Sequence, residues 1–217
     1  MTQRTANGAV LSIASAYATA KNMTALTNAT EGVATLEASH GVVVGDILEI
    51  TSGWDGLNGR IARAKTVATN DITLEKIDTS NTSLFPAGGG TGTVREISTW
   101  TPLSQIRGIN RSGGEQQYVD GTLLSDLILG RQLPTFRSPL ALEVTVSEDP
   151  ALSWIDTVKT VQNSRVPTAG RISVPGGGFV YFNAYWSILD FPNFESGALL
   201  EIPLSLAITS LHTRYAS

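Results

Sequence analysis

The stretch HGVVVGDILEITSGWD, residues 40–55, holds His40, Asp46, Ser52 and Asp55 close together. Residues of these types do acyl transfer when a base reaches a nucleophile on a rigid turn and an oxyanion hole faces both. The remaining parts are missing: no G-x-S-x-G elbow occurs anywhere in the chain. His40-Gly41 and Gly45-Asp46 read instead as turns, and Asp46 suits one because its carboxylate bonds nearby backbone amides. Residues 47–50 read as a strand. SGWDGLNGR reads as a loop in which glycine supplies positive φ and Trp54 and Leu57 fold inward. No catalytic residue is assigned here.

Carboxylates give a second chemical possibility. Glu115, Asp120 and Asp126 lie in GGEQQYVDGTLLSD. Glycoside cleavage needs two carboxylates roughly 5 to 10 Å apart across a cleft, and this polar, turn-rich segment reads as a solvated or interfacial loop. Metal chemistry has little material: cysteine is absent, and the histidines His40 and His212 lie far apart. No metal site and no cofactor are expected. The glycine runs PAGGGTG (86–92) and PGGGF (175–179) are not phosphate loops, because neither is followed by Lys-Ser/Thr and a helix. The first reads as a flexible loop, the second as a hairpin turn.

The elements that position such residues follow from the pattern. Leu140, Leu142, Val144 and Val146 alternate with Ala141, Glu143, Thr145 and Ser147, which predicts a half-buried strand. Leu200, Ile202, Leu204, Leu206 and Ile208 repeat the device against Glu201, Pro203, Ser205, Ala207 and Thr209. Pro203 donates no ladder bond, so this strand is expected at an edge or with a bulge. In FVYFNAYWSI (179–188), Phe179, Tyr181 and Tyr185 share one face and Val180, Phe182, Trp186 and Ile188 the other. Both faces call for cover, one from the core and the other from a helix or a neighbouring subunit. One helix is expected, at about 150–163. Asp149 caps it, Pro150 opens it, and Ala151, Trp154, Ile155, Val158 and Val161 form an apolar stripe. Lys159 and Arg165 sit toward its C-terminal end, where the helix dipole favours cations. Between about 22 and 98, the short runs VATLEA, DILEIT, RIARAKTVA, DITLEKI and TVREIS are separated by Gly and Asn/Asp turns, the texture of a small antiparallel barrel or sandwich.

Composition bounds the partners. Charged residues make up 16% of the 217, against roughly 25% in an ordinary soluble domain. Such a surface favours contact with other protein surfaces. A net charge of −4 argues against a groove that grips nucleic acid. No run reaches the roughly 18 apolar residues of a membrane helix, and the N-terminus lacks a signal-peptide core, so cytoplasmic synthesis is expected and no membrane partner.

Two parts of the chain resemble phage structural proteins. Residues 99–126 (TWTPLSQIRGINRSGGEQQYVDGTLLSD), the strand 139–148, the helix, the aromatic strand 178–188 and the last strand 198–211 resemble, in order and texture, the major tail tube proteins of long non-contractile tails, the lambda type above all. Residues 38–77 resemble a small β-module common in phage structural proteins, on His40-Gly41, Gly45-Asp46, Leu57-Asn58-Gly59 and Asn70 before Thr73.

The resemblance implies a mainly β protein: a β-sandwich or barrel core (1–21 and 99–217) with one helix, plus an inserted module (22–98). It implies a non-enzymatic virion protein, assembled in the host cytoplasm, whose hexameric rings stack into the tail tube. DNA passes transiently and non-specifically through that tube. The partners are then the chain itself and the tail terminator, tail-tip and tape-measure proteins. On this reading Glu143, Thr145, Ser147, Glu201, Ser205 and Thr209 are candidates for the lumen. Phe179, Tyr181, Tyr185 and Trp186 are candidates for packing between subunits, and residues 1–20 and 107–122 for contact between rings. Alternatives are a tail terminator or tail-tip ring protein, or a host-glycan-binding module.

Overall fold

The computed structural model describes residues 5–125, 127–149, 151–194, 196–197 and 199–216. In chain order the first elements are β1 (Val10–Tyr17), β2 (Lys21–Leu26), β3 (Val33–Leu36), β4 (Ile47–Ser52), β5 (Ile61–Ala68), β6 (Asp71–Leu74) and β7 (Gly92–Pro102). β8 (Ile106–Ser112), β9 (Gln116–Asp120), β10 (Gln132–Arg137), β11 (Ala141–Ser147) and α1 (Trp154–Ser164) follow. The chain ends with β12 (Thr168–Ser173), β13 (Phe179–Ile188), β14 (Glu201–Ile208) and β15 (Thr213–Tyr215).

Strands β2 to β7 pair in the order β2-β3-β6-β5-β4-β7, and β2 pairs β7 in turn, closing a six-stranded barrel. Five of these strands coincide with the strand-like runs of the sequence. The sixth, β2, buries only Met23 and Leu26 in a ragged pattern, so periodicity does not reveal it. Closure needs it, because only β2 joins β3 to β7. Met23, Leu36, Leu48, Ile50, Ile72 and Leu74 fill the interior.

β7 belongs to two structures at once. Its first residues pair with β2 and β4, while Ile97 to Pro102 pair with β1. The expected module boundary at 98 therefore falls inside one continuous strand. The two ends of the module lie side by side, with Asn22 opposite Thr93 and Tyr17 opposite Ile97.

From β7 the pairing runs β7-β1-β12-β13-β14-β11-β8. Residues 103–105 alone separate β7 from β8, the two extremities of that path, so the sheet curls and brings its ends near each other without pairing them. Leu11 and Ile13 of β1 thus share a core with Val144 and Val146 of β11 and Ile202, Leu204 and Leu206 of β14. α1 covers this core through Trp154, Ile155 and Val158. Burying three such side chains contributes about 1.5–3 kcal/mol each. Gln162 Oε1 also accepts the Ile188 N–H at 2.7 Å, tying the helix to the end of β13.

Four expectations are corrected. The helix starts at Trp154, not near 150: Asp149 spends its carboxylate on the Ala151 N–H at 2.9 Å in a turn, and Ser153 precedes the helix without a side-chain cap bond. Pro150 lies outside the described residues. Pro203 sits in an interior strand, opposite Thr145 with no bulge. Its carbonyl accepts from the Leu189 N–H, and the Leu189 carbonyl, which Pro203 has no N–H to serve, accepts instead from the Phe191 N–H at 2.8 Å. The last strand is two strands: β14 pairs one half of β13 and β15 the other, with 209–212 between them. β13 is covered on both sides as far as Asn183, where the second cover is this chain itself, through Ala14, Ile61, Ile97 and Tyr215; beyond it Tyr185 and Ser187 stay exposed on that face.

Candidate functional site

The histidine stretch is scaffold. His40 Nε2 donates to the Thr69 carbonyl at 2.8 Å, and its Nδ1 accepts the Val42 N–H at 3.0 Å. Asp46 Oδ2 accepts the Val43 N–H at 2.8 Å, closing the turn that Gly45 enters at φ +98°. Ser52 Oγ donates to the Gly90 carbonyl and accepts from the Trp54 N–H. Each group is spent on local backbone, so base and nucleophile do not meet. Leu57 is fully buried, Asn58 Oδ1 accepts the Ser52 N–H, and Gly59, at φ +73°, bonds back to Ile50. The loop 86–92 is docked rather than loose: Trp54 Nε1 donates to the Pro86 carbonyl at 2.8 Å, and a Cβ on Gly90 would sit 2.8 Å from the indole.

The carboxylates Glu115 and Asp120 are both exposed, at the start and end of the first strand of the hairpin, and Asp126 lies outside the described residues. Hydrogen bonds from the Thr122 side chain and backbone hold the Asp120 carboxyl below its ordinary range. Among the described residues, no cluster of three or more His, Asp or Glu is placed to hold a metal.

Five of the six proposed lumen residues come together on one wall. β11 and β14 run antiparallel with Glu143 opposite Ser205, Thr145 opposite Pro203 and Ser147 opposite Glu201. β8 adds Asn110 opposite Glu143 and Gly108 opposite Thr145, and β13 adds Ser187 opposite Ser205. The wall is open and mostly small and polar, with Tyr185, opposite Ala207, as its one exposed aromatic among the described residues, while Val144, Val146, Ile202 and Leu204 face the core behind it. Thr209 lies past the end of β14, donating its hydroxyl to the Asn183 carbonyl. Arg107 pairs with Glu201 at 2.9 Å, which offsets one of the two glutamates; Glu143 forms no ion pair among the described residues.

The four aromatic candidates separate. Trp186 is 3% exposed and Tyr181 4%, so both are core of this chain and are not free to pack on a neighbour. Phe179 is half-buried and Tyr185 is exposed. Of residues 1–20, the candidates for contact between rings, 5–8 and 18–20 are exposed. Residues 1–4 lie outside the described residues, and β1 is an interior strand with Leu11 and Ile13 fully buried. Within 107–122, residues up to 112 belong to β8, and the remainder enters the β9–β10 hairpin.

Two buried polar clusters join the barrel to the curled sheet, and neither is visible in the sequence. Glu49, 7% exposed, binds Arg95 at 2.8 Å through Oε2 and accepts from Asn183 Nδ2 at 2.8 Å through Oε1. Arg95 stacks 3.9 Å over the Tyr17 ring. Burial, helped by the nearby Glu49 charge, pushes the Tyr17 hydroxyl up to about 12. In the second cluster Tyr215 Oη accepts the Arg63 N–H and donates to the Glu75 carbonyl, both at 2.9 Å. Burial pushes this hydroxyl up to about 12 as well.

Comparison with known proteins bears on this arrangement. The sequence model of a family described as phage tail tube protein, TTP, matches residues 52–217. No curated protein matches the chain. Among solved structures, the chain is similar to one in a cryo-EM structure of the anti-feeding prophage (AFP) baseplate, 6-fold symmetrised. The TM-score is 0.40 at 11% identity, covering 55% of this chain and 86% of that one.

Proposed function

Because the chain belongs to the phage tail tube protein family, we propose that its copies close into hexameric rings, and that these stack into a tube through which DNA passes during ejection. A structural tail component is what the family establishes; ring number, stacking and DNA passage are our reading, as is the kinship to the lambda type. The observation that carries it is the open wall of β8, β11, β14 and β13. A lone monomer gains nothing from a broad face of Asn110, Glu143, Thr145, Ser187 and Ser205 with hardly a large side chain. A channel for a polyanion gains a surface without basic patches to hold it. In this arrangement Glu143, Thr145, Ser147, Glu201 and Ser205 line the lumen, and α1 lies on the far side of the sheet. Tyr185 and Phe179 are the aromatics left for contact between subunits.

The barrel, residues 22–98, acts as a module inserted between β1 and the rest, placed on the outside of the tube where it does not block the channel. The adjacency of its two ends supports an insertion that leaves the core's topology unchanged. The family match begins at Ser52, so part of this module lies within the matched region. The partners are further copies of the chain together with terminator, tail-tip and tape-measure proteins. Assembly takes place in the host cytoplasm, and the mature location is the virion tail.

Negative-stain microscopy of the concentrated protein tests the reading. Six-fold rings stacked into long tubes are the expected result. Single rings that never stack would assign the chain to a terminator or tail-tip role, and monomers at every concentration would overturn the ring.

A further inference from the structure

A cleft of about 480 Å³ opens where the outer face of the barrel meets the curled sheet, a volume in the range of small-molecule sites. One wall comes from the barrel. Leu48, Ile50 and Val94 fill the barrel interior, so the residues that alternate with them point outward. β4 supplies Glu49 and Thr51, and β7 supplies Arg95 and Thr93 directly opposite them. The other wall comes from the sheet. β13 supplies Asn183 and Tyr185, which share one face of the strand. Thr209 stands beside Asn183 and is bonded to its backbone carbonyl.

The floor of this cleft is charged, buried and one hydrogen bond short. Glu49 is 7% exposed and Asn183 2%. A carboxylate only accepts, so the Asn183 amide turns its Nδ2 toward Glu49, at 2.8 Å. That orientation fixes the other end of the amide. Asn183 Oδ1 is left buried with no hydrogen-bond partner. An unpaired buried acceptor is costly, and a donor brought in by a ligand removes the cost.

The lining defines that ligand. The group that reaches Asn183 Oδ1 is an O–H or N–H. It carries no net charge, because Glu49 and Arg95 already neutralise each other at 2.8 Å, and a further ion would have no counter-ion of its own. Threonine hydroxyls stand on both walls and can each donate and accept, which suits a ligand edged with hydroxyls. Tyr185, 48% exposed, adds a flat aromatic ring next to the floor. A hexose ring has both faces of this chemistry: hydroxyls around its edge and a patch of C–H groups that lies flat on an aromatic side chain.

We propose that this cleft binds a neutral pyranose sugar. One sugar hydroxyl donates to Asn183 Oδ1, the threonines meet the others, and the C–H face lies on Tyr185. The inference does not depend on the ring reading. Tyr185 is offered there to a neighbouring subunit, so the sugar is sought on the unassembled chain.

Saturation-transfer NMR on dilute protein, shown to be monomeric by light scattering, tests the proposal. The probes are glucose, galactose, mannose and N-acetylglucosamine, with glucuronate and glucosamine as charged counterparts. Transfer to at least one neutral sugar is expected, and weaker transfer to the charged ones. The Kd should rise about tenfold in Tyr185→Ala, the scale of a lost aromatic contact. Binding should vanish in Thr51→Arg, whose side chain fills the cleft from the barrel wall. Both positions are exposed, so both variants should keep the wild-type melting temperature. No transfer to any neutral sugar would overturn the proposal. So would a preference for the charged sugars, or an unchanged Kd in both variants, which would put the sugar elsewhere on the surface. A second arm presents the same neutral sugar at the end of immobilised uncharged oligosaccharides. Tighter binding there assigns the cleft to a surface glycan, and equal binding assigns it to the free sugar; either supports the site.

Discussion

The barrel and the curled sheet are built from the same alternating strands, yet they treat their surfaces in opposite ways. The barrel closes on itself, so it has no free edge to protect. Its exposed large apolar residues are few: Val43, Val44 and Leu84. Among the described residues the sheet stops at β8, which pairs only with β11, and long exposed apolar runs hang from its ends. A closed module is complete as one copy. An open sheet with an uncovered wall and two apolar projections is complete only among further copies.

The contrast concerns surfaces, not stability. β7 runs through both regions, and the Glu49 and Tyr215 clusters bridge them. We expect one cooperative unfolding transition for the whole chain. The sharpest way to break that expectation is Trp54→Ala. The indole is 3% exposed, meets Phe85 edge-on at 5.3 Å and holds the glycine loop. Its loss should cost about 3–5 kcal/mol and shift the single transition of calorimetry downward. Two separated transitions, with the sheet melting at its original temperature, would show that the regions are independent.

Much of the sheet was legible before any coordinates. The alternation at 140–147 and 200–209 gives β11 and β14, and their register sets Glu143 beside Ser205 on one wall. The helical stripe of Trp154, Ile155 and Val158 packs as its spacing implies. The turn residues around His40 and Asp46 do what such residues do locally. What stayed hidden is long-range. Glu49 finds Arg95 46 residues away and Asn183 134 residues away, and no local pattern marks such partners. β2 stayed hidden because its burial has no period, and the loop 86–92 read as flexible because its packing depends on a distant indole. The hairpin was read as polar from its first half, whereas its apolar character lies in the leucines that follow.

The bridge itself is the next target. Asn183→Ala leaves Glu49 Oε1 without its donor in a buried setting. The loss should be about 1.5–3 kcal/mol, the range for hydrogen bonds to charged groups. Urea unfolding measures it, and a change below the error of the method would remove this contact from the bridge. Tyr215→Phe keeps the ring but strands the Arg63 N–H and the Glu75 carbonyl, for a loss of about 1–3 kcal/mol.

That variant also carries a pH signature. Folding raises the hydroxyls of Tyr17 and Tyr215 from 10.0 to about 12 by burial. The unfolded chain therefore releases these protons first. The stabilisation is fully present below pH 10 and is lost as pH rises toward 12. Urea midpoints should fall across that window in the wild type and fall less steeply in Tyr215→Phe. Equal slopes would mean that Tyr215 titrates as freely folded as unfolded.

The smallest effect on stability belongs to the wall, and it separates the two regions most cleanly. Glu143 is exposed and forms no ion pair among the described residues, whereas Glu201 is held by Arg107. Replacing both with lysine should cost no more than about 1 kcal/mol, the range for losing one partly exposed ion pair. Tubes should still form, because neither residue is a candidate for contact between subunits or between rings. What changes is the sign of the wall. Two lysines in place of two glutamates give passing DNA a surface that retains it, and Arg107, released from Glu201, adds a third cation. Infectivity of phage assembled with the double variant should drop while particle counts stay constant. The same pair of charge reversals on the barrel, at half-buried Glu37 and exposed Asp71, should leave infectivity unchanged. If the barrel variant lost infectivity and the wall variant did not, the lumen would have been assigned to the wrong region of the molecule.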